Sequence, residues 1–232
     1  MATNLLATTT LSGCWQMALD AALLALRQPV LRFYRWSRPT LSMGYHQASE
    51  PHWLRWQQGG GDLVRRPSGG GAVLHDGDLC YALIWPDPPG SRQQAYQQVC
   101  GWLQNAFAEL GEPLHFGMER AAAGGDCFAR STAADLLNAD GHKRIGSAQR
   151  WQRGCLLQHG SIQLNPTPER MQLLLGRPAP ALAPLALGAG ALEQHLLSAA
   201  RRWLDLPHQA QPLPAALLSL AGEQLERYRC RG

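Results

Sequence analysis

The sequence predicts a mixed α+β fold, a mixed β-sheet flanked by helices. Two observations point there. Strand-like runs and amphipathic stretches follow one another without the regular strand–helix alternation that builds a Rossmann sheet. Hydrophobic residues make up 45% of the 232 residues and charged residues 16%, enough for a sizeable core. The length fits one large domain. A core is expected over residues 1–165, with residues 166–232 forming a Pro/Ala-rich linker and C-terminal helices that pack on the same domain.

Ser12 to Arg27 reads as an amphipathic helix with Trp15, Leu19, Ala22, Leu23 and Leu26 on its apolar face, ended by Pro29. Val30–Trp36 and Thr40–Gly44 read as strands around Arg38-Pro39. Glu50–Gln57 is expected as a helix before the glycines at 59–61. Asp62–Arg66 and Ala72–His75 are strand-like and flank Pro67-Ser68-Gly69-Gly70-Gly71, and Leu79–Trp85 is a strongly apolar strand. A helix is predicted over Gln93–Leu110, then a strand near Leu114–Phe116. Ala134–Leu137 and Lys143–Ser147 should pair as a hairpin, followed by a strand at Leu156–Leu164 and helices near Leu192–Leu204 and Ala215–Tyr228.

Several function classes drop out. The most apolar stretch, Ala179–Leu192, is interrupted by Pro180, Pro184, Gly188 and Gly190, so no membrane span is expected. Met1-Ala2-Thr3-Asn4 lacks the basic start of a signal peptide. The six cysteines form no Cys-x-x-Cys pair and no metal-ligand spacing with the eight histidines. They read as reduced thiols of a cytoplasmic protein, most of them small core residues, and no metal site is expected. A net charge of +4 favours an acidic partner. There is no basic stripe with interleaved aromatics, so a nucleic-acid partner is not expected.

Three stretches carry chemistry. In Arg65-Arg66-Pro67-Ser68-Gly69-Gly70-Gly71-Ala72-Val73-Leu74-His75-Asp76, three glycines allow backbone to approach a ligand, and two arginines supply charge for a carboxylate or phosphate. No Gly-Lys-Ser/Thr follows, and a strand rather than a helix comes next, so it is neither a Walker loop nor a dinucleotide fingerprint. A flexible hairpin loop is the plain alternative. The second stretch, Lys143-Arg144-Ile145-Gly146-Ser147-Ala148-Gln149, holds the only lysine beside 20 arginines. A compact ammonium fits where a broad guanidinium does not. Against that, Asn138-Ala139-Asp140-Gly141 is a turn signal, and a solvated lysine at a hairpin tip would need no explanation. The third stretch is Gln158-His159-Gly160-Ser161-Ile162, in which His159 taken alone is more often structural than catalytic.

Taken together, these stretches resemble the biotin/lipoate protein ligase family. The Arg-Arg-x-Ser-Gly-Gly-Gly-Ala-Val-x-His-Asp string with the Lys-x-x-Gly-Ser-Ala pattern is similar to the lipoate-protein ligase A branch, and the likeness extends over Gln16–Asp20 and Gln158–Ile162. Asp126-Cys127-Phe128, with Ser131 and Asp135 after it, looks like the Cys-Phe segment of the octanoyltransferases built on the ligase-A scaffold. The resemblance implies a fold related to class II synthetase catalytic domains. It implies that Arg66, Ser68, Gly69, Gly70, Gly71, Ala72, Val73, Leu74 and His75 wall an acyl-binding tunnel together with Gly146 and Ser147. It makes Cys127 the thioester nucleophile and Lys143 the cation that lowers its pKa. A free thiol titrates near about 8.5, and an adjacent ammonium lowers that.

The activity so implied moves an octanoyl group from acyl carrier protein to a lysine of a lipoyl-domain protein, such as glycine cleavage H protein or a 2-oxoacid dehydrogenase E2, without a cofactor. His75 and Asp126 are the candidates for the general base. One alternative is an ATP-dependent lipoate ligase, in which Arg66 and Gly71–Leu74 would hold an acyl-adenylate and ATP and Mg would be needed. Another is a non-catalytic acyl-binding relative.

Overall fold

The computed structural model describes residues 1–117, 135–176, 178–179 and 181–230. In chain order the first half carries β1 (Asn4–Leu11), α1 (Gly13–Leu26), β2 (Val30–Trp36), β3 (Thr40–Met43), α2 (Pro51–Gln58), β4 (Asp62–Arg65), β5 (Val73–His75), β6 (Leu79–Pro86) and α3 (Arg92–Glu109). After it come β7 (His115–Phe116), β8 (Leu136–Leu137), β9 (Lys143–Gln152), β10 (Cys155–Ile162), α4 (Pro168–Leu175), α5 (Ala189–Arg201), α6 (Ala215–Gly222) and α7 (Leu225–Tyr228).

One sheet has the strand order β1-β2-β6-β10-β9-β8-β7, and a small one the order β4-β3-β5. In the large sheet β1 and β2 run parallel and every other pair is antiparallel. The expected mixed sheet flanked by helices is therefore what forms. Its centre is buried on both faces. On β6, Leu79, Tyr81, Leu83 and Trp85 pack in one core with α3 and α5, and Cys80, Ala82 and Ile84 pack in another with α1 and α6. Alternate side chains of a strand point to opposite faces, so a strand covered twice must be apolar throughout, as Leu79–Trp85 is. A third core, around Leu41, Met43, Leu63 and Leu74, lies beneath the small sheet.

Some expectations need correction. On α1 the buried face is Met17, Ala18, Leu19, Ala22, Leu23 and Leu24, whereas Trp15 is half-buried and Leu26 is 45% exposed. The last turn, with Ala25 and Leu26 both exposed, runs past the core and closes on Arg27 in the left-handed conformation. The helix expected over Ala215–Tyr228 breaks into α6 and α7 just after Gly222, a residue whose backbone freedom weakens a helix. A helix also forms inside the stretch read as linker: α4 starts on Pro168, whose fixed φ suits a first helical turn, and ends on left-handed Gly176. β1 was not anticipated. It is built by non-local pairing, on one side with β2 and on the other with residues 205–211, through Thr3 N–H to the Asp205 carbonyl (2.9 Å) and Ala7 N–H to the Gln211 carbonyl (2.7 Å). No helix among the described residues is long and apolar enough to cross a membrane.

Candidate active site

Between the large sheet and the glycine string runs a cleft of about 260 Å³. Met17, Tyr34, Trp36, Val73 and Tyr96 give it apolar walls, and Lys143, Ser147, Ser42, His75 and His159 add polar groups. Burial holds the Tyr34 and Tyr96 hydroxyls well above the usual phenol range, so both stay neutral in that wall.

The glycine string is held by its own arginines. Arg66 donates to the carbonyls of Gly69 (2.7 Å), Gly71 (2.8 Å) and Ser42 (3.0 Å). Arg65 donates to those of Gly44, Tyr45 and Gln47 at 2.7–3.0 Å. The pair read from sequence as charge for an anion thus gives many of its donors to backbone carbonyls, because a buried guanidinium must satisfy its N–H groups locally. Gly44 packs directly on Gly70, which sits at φ +97, and a Cβ on Gly44 would overlap the Gly70 carbonyl. Gly44→Ala is therefore expected to push the string out of place and to cost about 1–3 kcal/mol through overpacking. Urea unfolding checks this, and an unchanged midpoint would show that the contact does not constrain the string.

Of the string's predicted site residues, Arg66, Gly69, Gly70, Val73 and His75 line the cleft. Ser68, Gly71, Ala72 and Leu74 do not. β5 alternates, so Val73 and His75 face the cleft while Leu74, with Ala72 before it, enters the small-sheet core. Ser68 is fully buried beneath the string.

Lys143 is 6% exposed and ion-paired to Asp135, itself 4% exposed, at 2.8 Å. The solvated hairpin-tip alternative is excluded. The β8–β9 register puts Leu137 opposite Lys143 and Leu136 opposite Ile145, which leaves Arg144 as an extra residue on β9. Such a bulge re-aims neighbouring side chains. Arg144 is anchored elsewhere, on Glu112 (2.6 Å) and the carbonyls of Gln163 and Ala183, while Lys143 lines the cleft. Gly146 and Ser147 follow along the same wall. Ser147 is backed by the Tyr81 hydroxyl at 2.8 Å, which in turn accepts from Gln158 at 3.0 Å. Cys127 and Asp126, the predicted nucleophile and one base candidate, lie outside the described residues, as does Ser131.

Two Ser–His–Asp strings, not seen in the sequence, border the cleft. In the first, Ser68 Oγ meets His159 Nε2 at 2.6 Å and His159 Nδ1 meets Asp20 Oδ2 at 2.7 Å. Arg32 binds the other Asp20 oxygen at 2.6 and 3.0 Å. Burial opposes the charge on Asp20, but Arg32 and His159 outweigh it and hold the carboxyl below its usual range. His159 thus ties the glycine string to α1, the structural part foreseen for it. In the second, Ser42 Oγ meets His75 Nε2 at 2.9 Å and His75 Nδ1 meets Asp78 Oδ2 at 2.6 Å. Burial again opposes the charge on Asp78, and His75 with the Ser161 and Cys80 hydrogen bonds outweighs it. An ionised carboxylate only accepts, so each histidine carries its proton on Nδ1 and accepts a hydroxyl hydrogen at Nε2. Among the described residues His75, Asp78 and Cys80 form the one trio whose donor atoms lie within 4.8 Å of one another. Those atoms are hydrogen-bonded among themselves.

A mixed sheet that closes a glycine string over an apolar slot containing one buried ammonium is the frame of an acyl-handling enzyme. Comparison with known proteins agrees. The model of the lipoyl protein ligase A/B catalytic domain matches residues 13–185, and the chain belongs to that family. The octanoyltransferase LipM of Kyrpidia tusciae is 36% identical, over 72% of this chain and 68% of that protein. The crystal structure of a lipoate-protein ligase A bound with ATP has a TM-score of 0.81 at 20% identity, covering 98% of this chain and 95% of that one. A bi-partite lipoate protein ligase from Thermoplasma acidophilum, described with its E2 lipoyl domain, has a TM-score of 0.77 at 19% identity, covering 97% and 92%. The two structural likenesses show the shared fold.

Proposed function

We propose that the chain is an octanoyltransferase of protein lipoylation, which takes its acyl group from octanoyl-acyl carrier protein and delivers it through a thioester on Cys127. The acceptor is a lysine of a lipoyl domain, such as that of glycine cleavage H protein or a 2-oxoacid dehydrogenase E2. The observation that carries this reading is the buried Lys143–Asp135 pair in the wall of an apolar cleft, in a chain that resembles octanoyltransferases over most of its length. The cysteine assignment comes from the sequence. It is supported by the other five thiols: Cys14, Cys80, Cys100, Cys155 and Cys230 are all buried, and burial raises each pKa, that of Cys100 to about 12. None of them is poised as a thiolate.

In the first half-reaction the Cys127 thiolate adds to the donor carbonyl and the carrier's thiolate leaves. In the second, the acceptor amine adds to the acyl-enzyme and the Cys127 sulfur leaves. Lys143 supplies the positive charge that favours the thiolate and the developing oxyanion. One thioester replaces another, so the first step needs neither ATP nor magnesium. The wall of the cleft formed by Gly69, Gly70 and Val73 then faces acyl chain, not phosphate.

The test uses two tubes, each containing an apo lipoyl domain. One receives octanoyl-carrier without nucleotide, the other lipoate with ATP and magnesium. Modification is expected in the first. Modification confined to the second would replace this reading with the ligase and leave Cys127 a core thiol.

A further inference from the structure

The two Ser–His–Asp strings differ in charge. Asp20 is already neutralised by Arg32, with both side chains buried, so a proton on His159 would set a second cation against one carboxylate. Asp78 is in another position. Its Oδ2 takes all three hydrogen bonds, from His75, Ser161 and Cys80, while Oδ1 is buried without a partner. Among the described residues the only ion-pair partner of Asp78 is His75. A buried carboxylate with no full countercharge is costly, and that cost is relieved when the imidazole beside it takes a proton.

The rest of the surroundings suit such a proton. Ser42 and His75 both line the cleft, so the string opens onto the space where acyl chemistry would occur. Trp36 stacks on the imidazole with centroids 4.2 Å apart and planes 25° apart, which fixes the ring. The other polar and titratable groups around His75 are Cys80 on β6, whose thiol burial keeps protonated, Ser161 on β10, and Arg66, which also touches Ser42 (3.5 Å). Lys143 and His159 face the same cleft.

We propose that Ser42, His75 and Asp78 form the relay that takes the proton from the acceptor lysine during aminolysis of the acyl-enzyme, a step that rests on the transferase reading above. The acceptor lysine arrives as an ammonium. One of its protons passes to the Ser42 oxygen as the Ser42 proton passes to His75 Nε2, and the freed amine nitrogen bonds to the thioester carbonyl carbon. The C–S bond then breaks with its electron pair leaving on the Cys127 sulfur, which takes the second N–H proton as the amide forms. The imidazolium, paired with Asp78, returns its proton to solvent. The Lys143 ammonium offers donors only and is unsuited to this step.

The two half-reactions separate the relay from a structural role. Intact-protein mass spectrometry follows loading from octanoyl-carrier, then discharge of the loaded enzyme to a lipoyl domain or to hydroxylamine, which arrives as a neutral amine. His75→Gln and Ser42→Ala should slow discharge to the lipoyl domain by roughly 100-fold, with much smaller losses in loading and in hydroxylamine discharge. In His75→Gln that rate should climb about tenfold per pH unit from about pH 7 to about pH 9, as the lysine amine deprotonates by itself, while the wild type rises less steeply. Equal losses in loading and in both discharges, or undiminished lysine transfer, would overturn the relay. If His75→Gln does not fold, Ser42→Ala, which removes one oxygen, decides. A wild type that never loads overturns the Cys127 reading, and the relay with it.

Discussion

Cys127→Ala is expected to remove the acyl-enzyme completely and to lower octanoyl transfer by about 10⁴-fold or more, the scale on which a covalent nucleophile matters. The effect should be specific to chemistry, with thermal unfolding close to wild type. The reasoning is one of chemical opportunity. The five described thiols are buried, and burial disfavours their ionisation even for Cys80, which borders the cleft; the cleft lines up apolar walls with one buried ammonium. A thiolate needs that kind of cation nearby. Intact mass after incubation with octanoyl-carrier, together with turnover on an apo lipoyl domain, measures both quantities. Near-normal turnover of the alanine variant would end the transferase reading in favour of the ligase.

Lys143→Arg should lower turnover by about 100-fold although it conserves the charge. Removing or displacing one donor to a developing oxyanion costs about that much. The ammonium sits in an enclosed wall, 6% exposed and 2.8 Å from Asp135, and a planar fork with five fixed donors cannot take the place of a point charge there. Arginine is the informative substitution. Lys143→Met would remove the ammonium from a buried carboxylate and confuse instability, on the order of 3–5 kcal/mol, with loss of chemistry. Single-turnover loading and discharge for Lys143→Arg, beside an unfolding curve, make the comparison, and wild-type kinetics would reduce Lys143 to a structural cation.

Much of this fold could be read before it was seen, for reasons that particular residues make plain. Leu79–Trp85 is apolar at every position because β6 is covered on both faces, and Val73 and His75 share a face because β5 alternates. The single lysine stood out because arginine fills every other basic position. What stayed hidden depends on contacts far apart in the chain. His159 meets Asp20 across 139 positions and Ser161 meets Asp78 across 83, and no local pattern encodes either. One signal was available: Asp20 lies among apolar residues on a helix whose face is buried, and a carboxylate there must have a partner. Gly44 matters only because the glycine string folds back onto it. β1 carries three consecutive threonines and little apolar alternation, so its strand character comes from its neighbours on either side.

That last arrangement bears on how the molecule is made. β1 leaves the ribosome well before residues 205–211, yet one of its edges is completed only by them. Until that segment has been synthesised, the early strand carries a row of open backbone amides and carbonyls, the kind of edge that invites pairing with another nascent chain. Closing the seam joins segments far apart in the chain, a long loop closure that slows folding. Translation that halts before residue 205 would leave a sheet with a sticky margin. Such fragments should be prone to aggregation and attractive to chaperones, whereas a chain that includes residues 205–211 zips β1 against them and hides that margin.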